Sequence, residues 1–460
     1  MTTKMKQDMM RYNNTDSHAV GTTLRRVVMT VACTLTTLFT VPSVAQVVIG
    51  GNVYGGGNEG DVGGSASVEL KGGTVKGDVY GGARMADVGG YTAVNINGAG
   101  AGSSIIARSV YGGNDISGTI GTVGNTEVTL PAEAAAYGIT TEWNSFVYAS
   151  KNTEHPVVIG SLYGGGNGDY PDVDYTTVKK PELDNTCIIL NGGVYGHVYG
   201  GGNLATVREN AVICFNNSLD VNNSLDAGTF NRIPKVNAGF LGLQEGVDYS
   251  IDGDDMVFGY HVSRMFGGNN KAAMAIRPTW NLIKGSINNL YSGGNKGAMT
   301  YTNGILLPLT SAGISVNNVY GGCRMADVNP GDKAPIAESY KQEYTFPAGY
   351  ATRVYVTAGN INNVYGGNDI SGKVRYGTNV AIFSDIKGDV YGGGNGSYAY
   401  TDKSEYSTTD YYYVPGDNSA EALFNFRPHI ENTLIHIAGT TEKPVNIANR
   451  TSTIFAGTTA

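Results

Sequence analysis

Two tight groups of carboxylates, Asp169, Asp172 and Asp174 in one and Asp252, Asp254 and Asp255 in the other, have the residue type and spacing that suit a hard cation. Calcium takes about six to eight oxygen ligands, so each group would supply part of a shell, and structural calcium is the one cofactor the chain suggests. Neither group completes an EF-hand loop. The calcium-roll nonapeptide fails at Gly55-Gly56-Gly57-Asn58-Glu59-Gly60, where glycine and aspartate are out of place. Beyond residue 45 the histidines are His155, His197, His261, His429 and His436, with no His-Glu-x-x-His pair, and neither a Gly-x-Ser-x-Gly elbow nor a phosphate-binding loop is present. Paired glycosidase carboxylates can lie far apart in sequence, which keeps a carbohydrate-active enzyme, a polysaccharide lyase or glycoside hydrolase, as the alternative to a non-enzymatic protein.

A third chemistry belongs to aromatic rings. Tyr54, Tyr80, Tyr111, Tyr163, Tyr199, Phe266, Tyr291, Tyr320, Tyr365 and Tyr391 each follow an aliphatic residue or methionine and precede a small residue and a glycine. Flat amphipathic rings at a regular spacing either stack on one another and cover neighbouring glycine backbone, or form a stripe for sugar rings. Strict repetition favours the lattice, because a binding site rarely needs ten copies.

The elements that would position these rings come from the repeat itself. The phrase runs from Val53-Tyr54-Gly55-Gly56-Gly57-Asn58 to Val390-Tyr391-Gly392-Gly393-Gly394-Asn395, with relaxed copies starting at Val53, Val79, Val110, Leu162, Val198, Met265, Leu290, Val319, Val364 and Val390. The closest starts lie about 25 residues apart, which sets one structural unit. Above this sits a second level. Gly81-Gly82-Ala83-Arg84-Met85-Ala86-Asp87-Val88 returns at Gly321 to Val328, Gly112-Gly113-Asn114-Asp115-Ile116-Ser117-Gly118 returns at Gly366 to Gly372, and Gly164-Gly165-Gly166-Asn167-Gly168-Asp169-Tyr170 is echoed at Gly392 to Tyr398. The same order twice implies tandem halves, about 46–190 and 191–400.

Within a unit, Val75 and Val79 share a face with Gly77 while Tyr80 points the other way, and Val68 and Leu70 alternate around Glu69. Each unit offers about three short strands between glycine-rich corners. A unit this small closes no core alone, so the expectation is all-β: a parallel β-helix, right-handed by the general preference of parallel connections, carrying loop insertions. A β-propeller blade needs about 40 to 50 residues, more than this spacing allows. The Asn-Asp-Ile-Ser-Gly and Arg-Met-Ala-Asp copies are expected at corners, where Arg84 with Asp87, and Arg324 with Asp327, pair or contact the next rung.

Glycine-rich Val-Tyr-Gly-Gly-Gly-Asn arrays over nearly all of residues 47 to 400, behind an export signal, resemble the exported β-helical surface proteins of Bacteroidetes and the passenger repeats of autotransporter-like adhesins. The resemblance implies architecture and a surface role, and it transfers no catalytic or binding residue.

The export signal is Arg25-Arg26, an apolar run from Val27 to Val41, and Pro42-Ser43-Val44-Ala45, read as a secretory signal peptide over 1–45. The run is shorter than the roughly 20 apolar residues of a membrane span, and Cys33 lies mid-run, away from a lipoprotein site. The mature chain 46–460 is then one repeat domain, secreted or on the cell surface. The whole chain carries a net charge of −8, and the leader is net positive, so the mature part is more acidic and holds no basic stripe for nucleic acid. Cys187, Cys214 and Cys323 are too few and too scattered for a disulfide framework and read as buried small hydrophobes.

Insertions are expected near 126–155, 169–185, 209–261, 330–353 and 397–429. The last holds Tyr398, Tyr400, Tyr406, Tyr411, Tyr412 and Tyr413. Recognition usually sits on such loops, and the partner they suit is a glycan or an extracellular protein. The stretch 430–460 reads as an incomplete last rung without an evident cap, so either the chain is truncated or a capping or anchoring partner covers it.

Overall fold

The computed structural model describes residues 47–97, 104–121, 143–151, 156–218, 232–235, 239–398, 426–439 and 454–455. The signal-peptide reading of 1–45 and the tyrosines from Tyr400 to Tyr413 lie outside the described residues. Val48–Ala460 forms one compact unit.

The described residues are essentially all-β, dominated by a large curled parallel sheet of 17 strands. Its first ladder is the repeated phrase. Gly73–Tyr80 pairs with Ile105–Tyr111, that with Val157–Tyr163, and the series continues through Val194–Tyr199, Val262–Phe266, Thr279–Tyr291, Gly313–Tyr320, Asn360–Tyr365 and Val390–Tyr391. Every pairing is parallel, and at the two leading positions of the phrase it sets aliphatic residue or methionine on its like and ring on ring: Val79 faces Val110, and Tyr80 faces Tyr111. The ladder takes in one rung that the phrase alone does not mark, since Val390 and Tyr391 pair with Ile454 and Phe455.

A second ladder stacks Ala66–Leu70, Thr92–Ile96, Ser145–Ala149, Glu182–Leu190, Thr206–Asn216 and the first part of Thr279–Tyr291. A separate four-stranded parallel sheet holds Ile305–Leu309, Thr352–Val356, Thr378–Ile382 and Thr433–Ile437. Single-residue parallel bridges make a third line, Val62 to Val88 to Ile120 and Met274 to Met299 to Val328 to Val374. Glu182–Leu190 and Thr206–Asn216 are ladder strands, so the expected insertions at 169–185 and 209–261 are shorter than their sequence gaps.

The alternation separates two kinds of packing. Val79, Val110, Leu162, Val198 and their equivalents join one hydrophobic cluster with residues of the second ladder such as Val94, Val147 and Ile188. The aromatic residues that follow them form a different cluster. Hydroxyls tie the ladders together: Thr92, Ser145, Thr186 and Thr352 donate to the carbonyls of Gly112, Gly164, Gly200 and Gly366 at 2.6–2.7 Å, and Thr378 does so to Gly392. Each bond satisfies a buried corner carbonyl that the strands themselves leave without a ladder partner.

Candidate functional site

The aromatic residues form one uninterrupted stack from Tyr54 to Tyr391. Successive centroids lie 4.4 to 5.1 Å apart, with ring planes within 11°. Every ring from Tyr80 to Tyr365 has a neighbour on both faces and is buried. Their faces are therefore taken up by each other, and only the end rings Tyr54 and Tyr391 are part-exposed. Parallel in-register pairing at about 4.8 Å fixes this spacing.

Two carboxylates stand beside the stack in matching settings. Asp115 accepts from Tyr54 Oη at 2.8 Å, Tyr170 Oη at 2.6 Å and Asn167 Nδ2 at 3.1 Å. Asp369 accepts from Tyr291 Oη at 2.7 Å, Tyr398 Oη at 2.6 Å and Asn395 Nδ2 at 2.9 Å. Both aspartates are 2% exposed or less. The donors correspond atom for atom, the first phenol reaching Oδ2 and the other two groups Oδ1. Burial, ahead of the adjacent carboxylate, pushes the Tyr54 phenol up to about 12 and the Tyr170 and Tyr398 phenols higher, so they remain donors at neutral pH.

The duplicated motifs explain why these donors meet. Asn114, on the corner after Tyr111, accepts from the Ala83 amide at 2.8 Å and donates to the Ala86 carbonyl, clamping the Ala83 to Ala86 turn of the preceding rung. Asn368 clamps Cys323 to Ala326 identically. The next rung then bonds onto this corner, Asn167 and Gly168 through Asn114 and Asp115, Asn395 and Gly396 through Asn368 and Asp369. Two glycine positions are fixed by this fit. A Cβ at Gly82 or Gly322 would lie 2.0 or 2.1 Å from the clamping Asn Oδ1, and Gly118 and Gly372 sit at φ +97° and +93° against the carbonyls of Ala86 and Ala326. The Arg-Met-Ala-Asp copies contact neighbouring rungs rather than pair internally: Arg84 reaches Asn58 at 3.1 Å, and Asp87 accepts from the Thr119 amide.

Between these two modules lies a polar cluster. Ser161, His197 and Arg264 are register partners on adjacent strands. Asp248, from the insertion that also carries the small antiparallel sheet of Arg232–Pro234, Ser250–Asp252 and Asp255–Val257, comes within 3.4 Å of His197 Nε2 and accepts from Ser263 Oγ at 2.6 Å and the Gln244 amide at 2.9 Å. Ser161 Oγ lies 3.3 Å from His197 Nδ1. The order serine, imidazole, carboxylate is that of a nucleophilic triad. Arg264, however, also lies 3.4 Å from Nε2, so that nitrogen faces a donor and an acceptor at once. Burial, opposed by Asp248, holds His197 below its ordinary value, and the hydrogen bond and charge of His197, with Arg264 and the Ser263 hydroxyl after them, hold Asp248 well below the usual carboxylate range in spite of its burial. The arrangement docks the insertion onto the rungs, with Ile233, Leu241, Met256 and Phe258 packed on Ile106, Val158 and Val194.

Four of the six calcium candidates hold other groups through their carboxylates, namely Asp169, Asp174, Asp252 and Asp255. Asp169 accepts from Lys271 at 2.8 Å and from Asn203, Asp252 and Asp255 flank Arg232, Asp174 accepts from the amide and hydroxyl of Thr176, and the Asp254 carbonyl accepts from the Lys235 amide. Among the described residues no group of three His, Cys, Asp or Glu is arranged to hold a metal ion. Cys187, Cys214 and Cys323 are buried free thiols, and burial pushes Cys214 up to about 11 and Cys323 to about 12. From sequence the Asn-Asp corners read as turns, and the part played by Asp115 and Asp369 does not show there. The signal was present in their duplication together with Tyr170 and Tyr398. No family model, no curated protein and no solved structure matches this chain.

Proposed function

We propose that the chain is a secreted or surface-displayed parallel β-helix that works without catalysis, as a stiff stalk or adhesin whose insertions contact a glycan or an extracellular protein. The observation that carries this reading is the unbroken ring stack. Ten stacked aromatic side chains, eight of them with a ring on each face, make a lattice, and a lattice resists bending along its axis. Regular rungs also leave the variable chemistry to the insertions, which are held by side-chain clamps on the outside of the ladders. At about 4.8 Å per rung the repeat forms a rod, and repeated surface features on a rod suit multivalent contact.

The test is a glycan-array and matrix-protein binding screen on residues 46–460, with and without residues 399–425, leaving Tyr398 on Asp369. Specific binding that is lost with the segment supports an adhesin. A folded protein that binds nothing supports a stalk, and release of reducing sugar or unsaturated product from a polysaccharide panel would sink the non-enzymatic reading.

A further inference from the structure

The outer face of the four-stranded sheet holds two donors that meet no acceptor among the described residues. Arg353 and Asn379 are direct register partners on the strands Thr352–Val356 and Thr378–Ile382, and both side chains are completely buried. Val354 and Val380 turn into the main core, so Arg353 and Asn379 turn the other way, beneath the hairpin of Glu338–Tyr340 and Tyr344–Phe346. The Arg353 guanidinium lies over the Phe346 ring, and Tyr344 Oη is 3.4 Å from Asn379 Oδ1. Arg353 spends its terminal nitrogens on Glu338 and on the Ile336 carbonyl. Its Nε, and Nδ2 of Asn379, have no hydrogen-bond partner among the described residues.

Charge points the same way. Glu338 is shared between two guanidinium groups, taking both terminal nitrogens of Arg277 at 2.6 and 2.9 Å as well as Arg353 Nη1. Glu343, the other carboxylate of the hairpin, is occupied by Tyr355 Oη at 2.7 Å. Glu338 therefore serves two guanidinium groups while Glu343 is turned to a phenol, and the two unmade hydrogen bonds lie under an aromatic roof, where they are costly. Beside a guanidinium, an anion is a stronger acceptor than water. Adjacent parallel strands are about 4.8 Å apart, which suits an acceptor of single-atom size.

We propose that the Arg353–Asn379 step beneath the 338–346 hairpin binds a small monovalent anion of chloride size, which locks the hairpin onto the sheet. The experiment uses the exported chain. Crystals soaked in bromide are expected to show an anomalous peak within hydrogen-bond distance of Arg353 Nε and Asn379 Nδ2. Thermal unfolding is expected at higher temperature in chloride than in gluconate at equal ionic strength. In Asn379→Asp, which brings its own negative acceptor, that difference should vanish while the gluconate Tm rises. Water-like density without an anomalous peak, or equal Tm in the two salts, would overturn the proposal. A bromide peak without a chloride effect would mean an adventitious ion only and would overturn it as well. The wild-type salt comparison stands even if the variant fails to fold.

Discussion

The module around Asp115 and the module around Asp369 place the same three kinds of donor on the same oxygens, yet the rows beside them differ. Next to the first, Asp78 forms a bidentate pair with Arg108 at 2.7 and 2.8 Å. Next to the second, the positions carry asparagine ladders, Asn289 to Asn318 to Asn363 and Asn288 to Asn317 to Asn362, each amide donating to the one before it at 2.9–3.0 Å. The corner contacts bind four successive rungs through buried groups, so changing one member leaves the others unsatisfied. The flanking row is part-exposed, and water can stand in for a lost partner there. An ion pair and an amide ladder are thus interchangeable in one place, whereas the carboxylate nest is copied whole.

The largest expected effect tests whether the nests are equivalent. Asp115→Ala and Asp369→Ala should each lower unfolding stability by about 2 to 4 kcal/mol, because one buried and two part-buried donors lose their acceptor; denaturant midpoints that drop for one variant and not the other would break the comparison. Gly118→Ala and Gly372→Ala should each cost more than about 1 kcal/mol, from positive φ and from contact with the preceding rung. A thermal shift within error of wild type would mean that the corner relaxes freely.

Tyr291→Phe against Tyr320→Phe sharpens the distinction between stack and nest. Both keep the ring, but only the first removes a donor from Asp369, and a difference of about 1 to 2 kcal/mol between them is expected from equilibrium unfolding.

Acid should act first on the cluster between the modules. Neutral His197 is favoured by the fold, so its contribution is lost as pH falls through the unfolded value of about 6.5. Asp248 has a depressed folded value, so its contribution is full above the unfolded value of about 3.9 and is lost as pH falls toward the folded one. Asp248→Asn should flatten the pH dependence of stability below about pH 4 and make the 232–258 insertion easier to cleave with protease. An unchanged acid limb would remove Asp248 from that role. The smallest effect belongs to the flanking rows: Arg108→Ala, part-exposed, should cost about 0.5 kcal/mol, less than Asn318→Ala, which interrupts a ladder on both sides.

Much of the fold was legible because its ladders are periodic. Val79 and Tyr80 could be assigned to opposite faces from alternation alone, and the like-on-like register follows from ten copies of one phrase. Insertion boundaries were less legible: Thr206–Asn216 lies in a gap between phrases, yet it belongs to the second ladder, whose residues carry no repeated phrase to mark them. The nests were half legible. Asn-Asp-Ile-Ser-Gly and the Tyr after Asn-Gly-Asp or Asn-Gly-Ser announced themselves by recurring, but the partners of Asp115 lie 52 to 61 residues away, and no local rule joins them.

The sequence by itself determined the repeat, the all-β character, the parallel stacking of identical side chains and the places where only glycine fits, because these depend on local alternation and backbone sterics. Tertiary structure alone decided which carboxylates are buried, which rings are buried in the stack, and that Arg353 and Asn379 share one covered face. Those properties arise where rungs and insertions meet, and the desolvation of a charge depends on everything around it rather than on its neighbours in the chain.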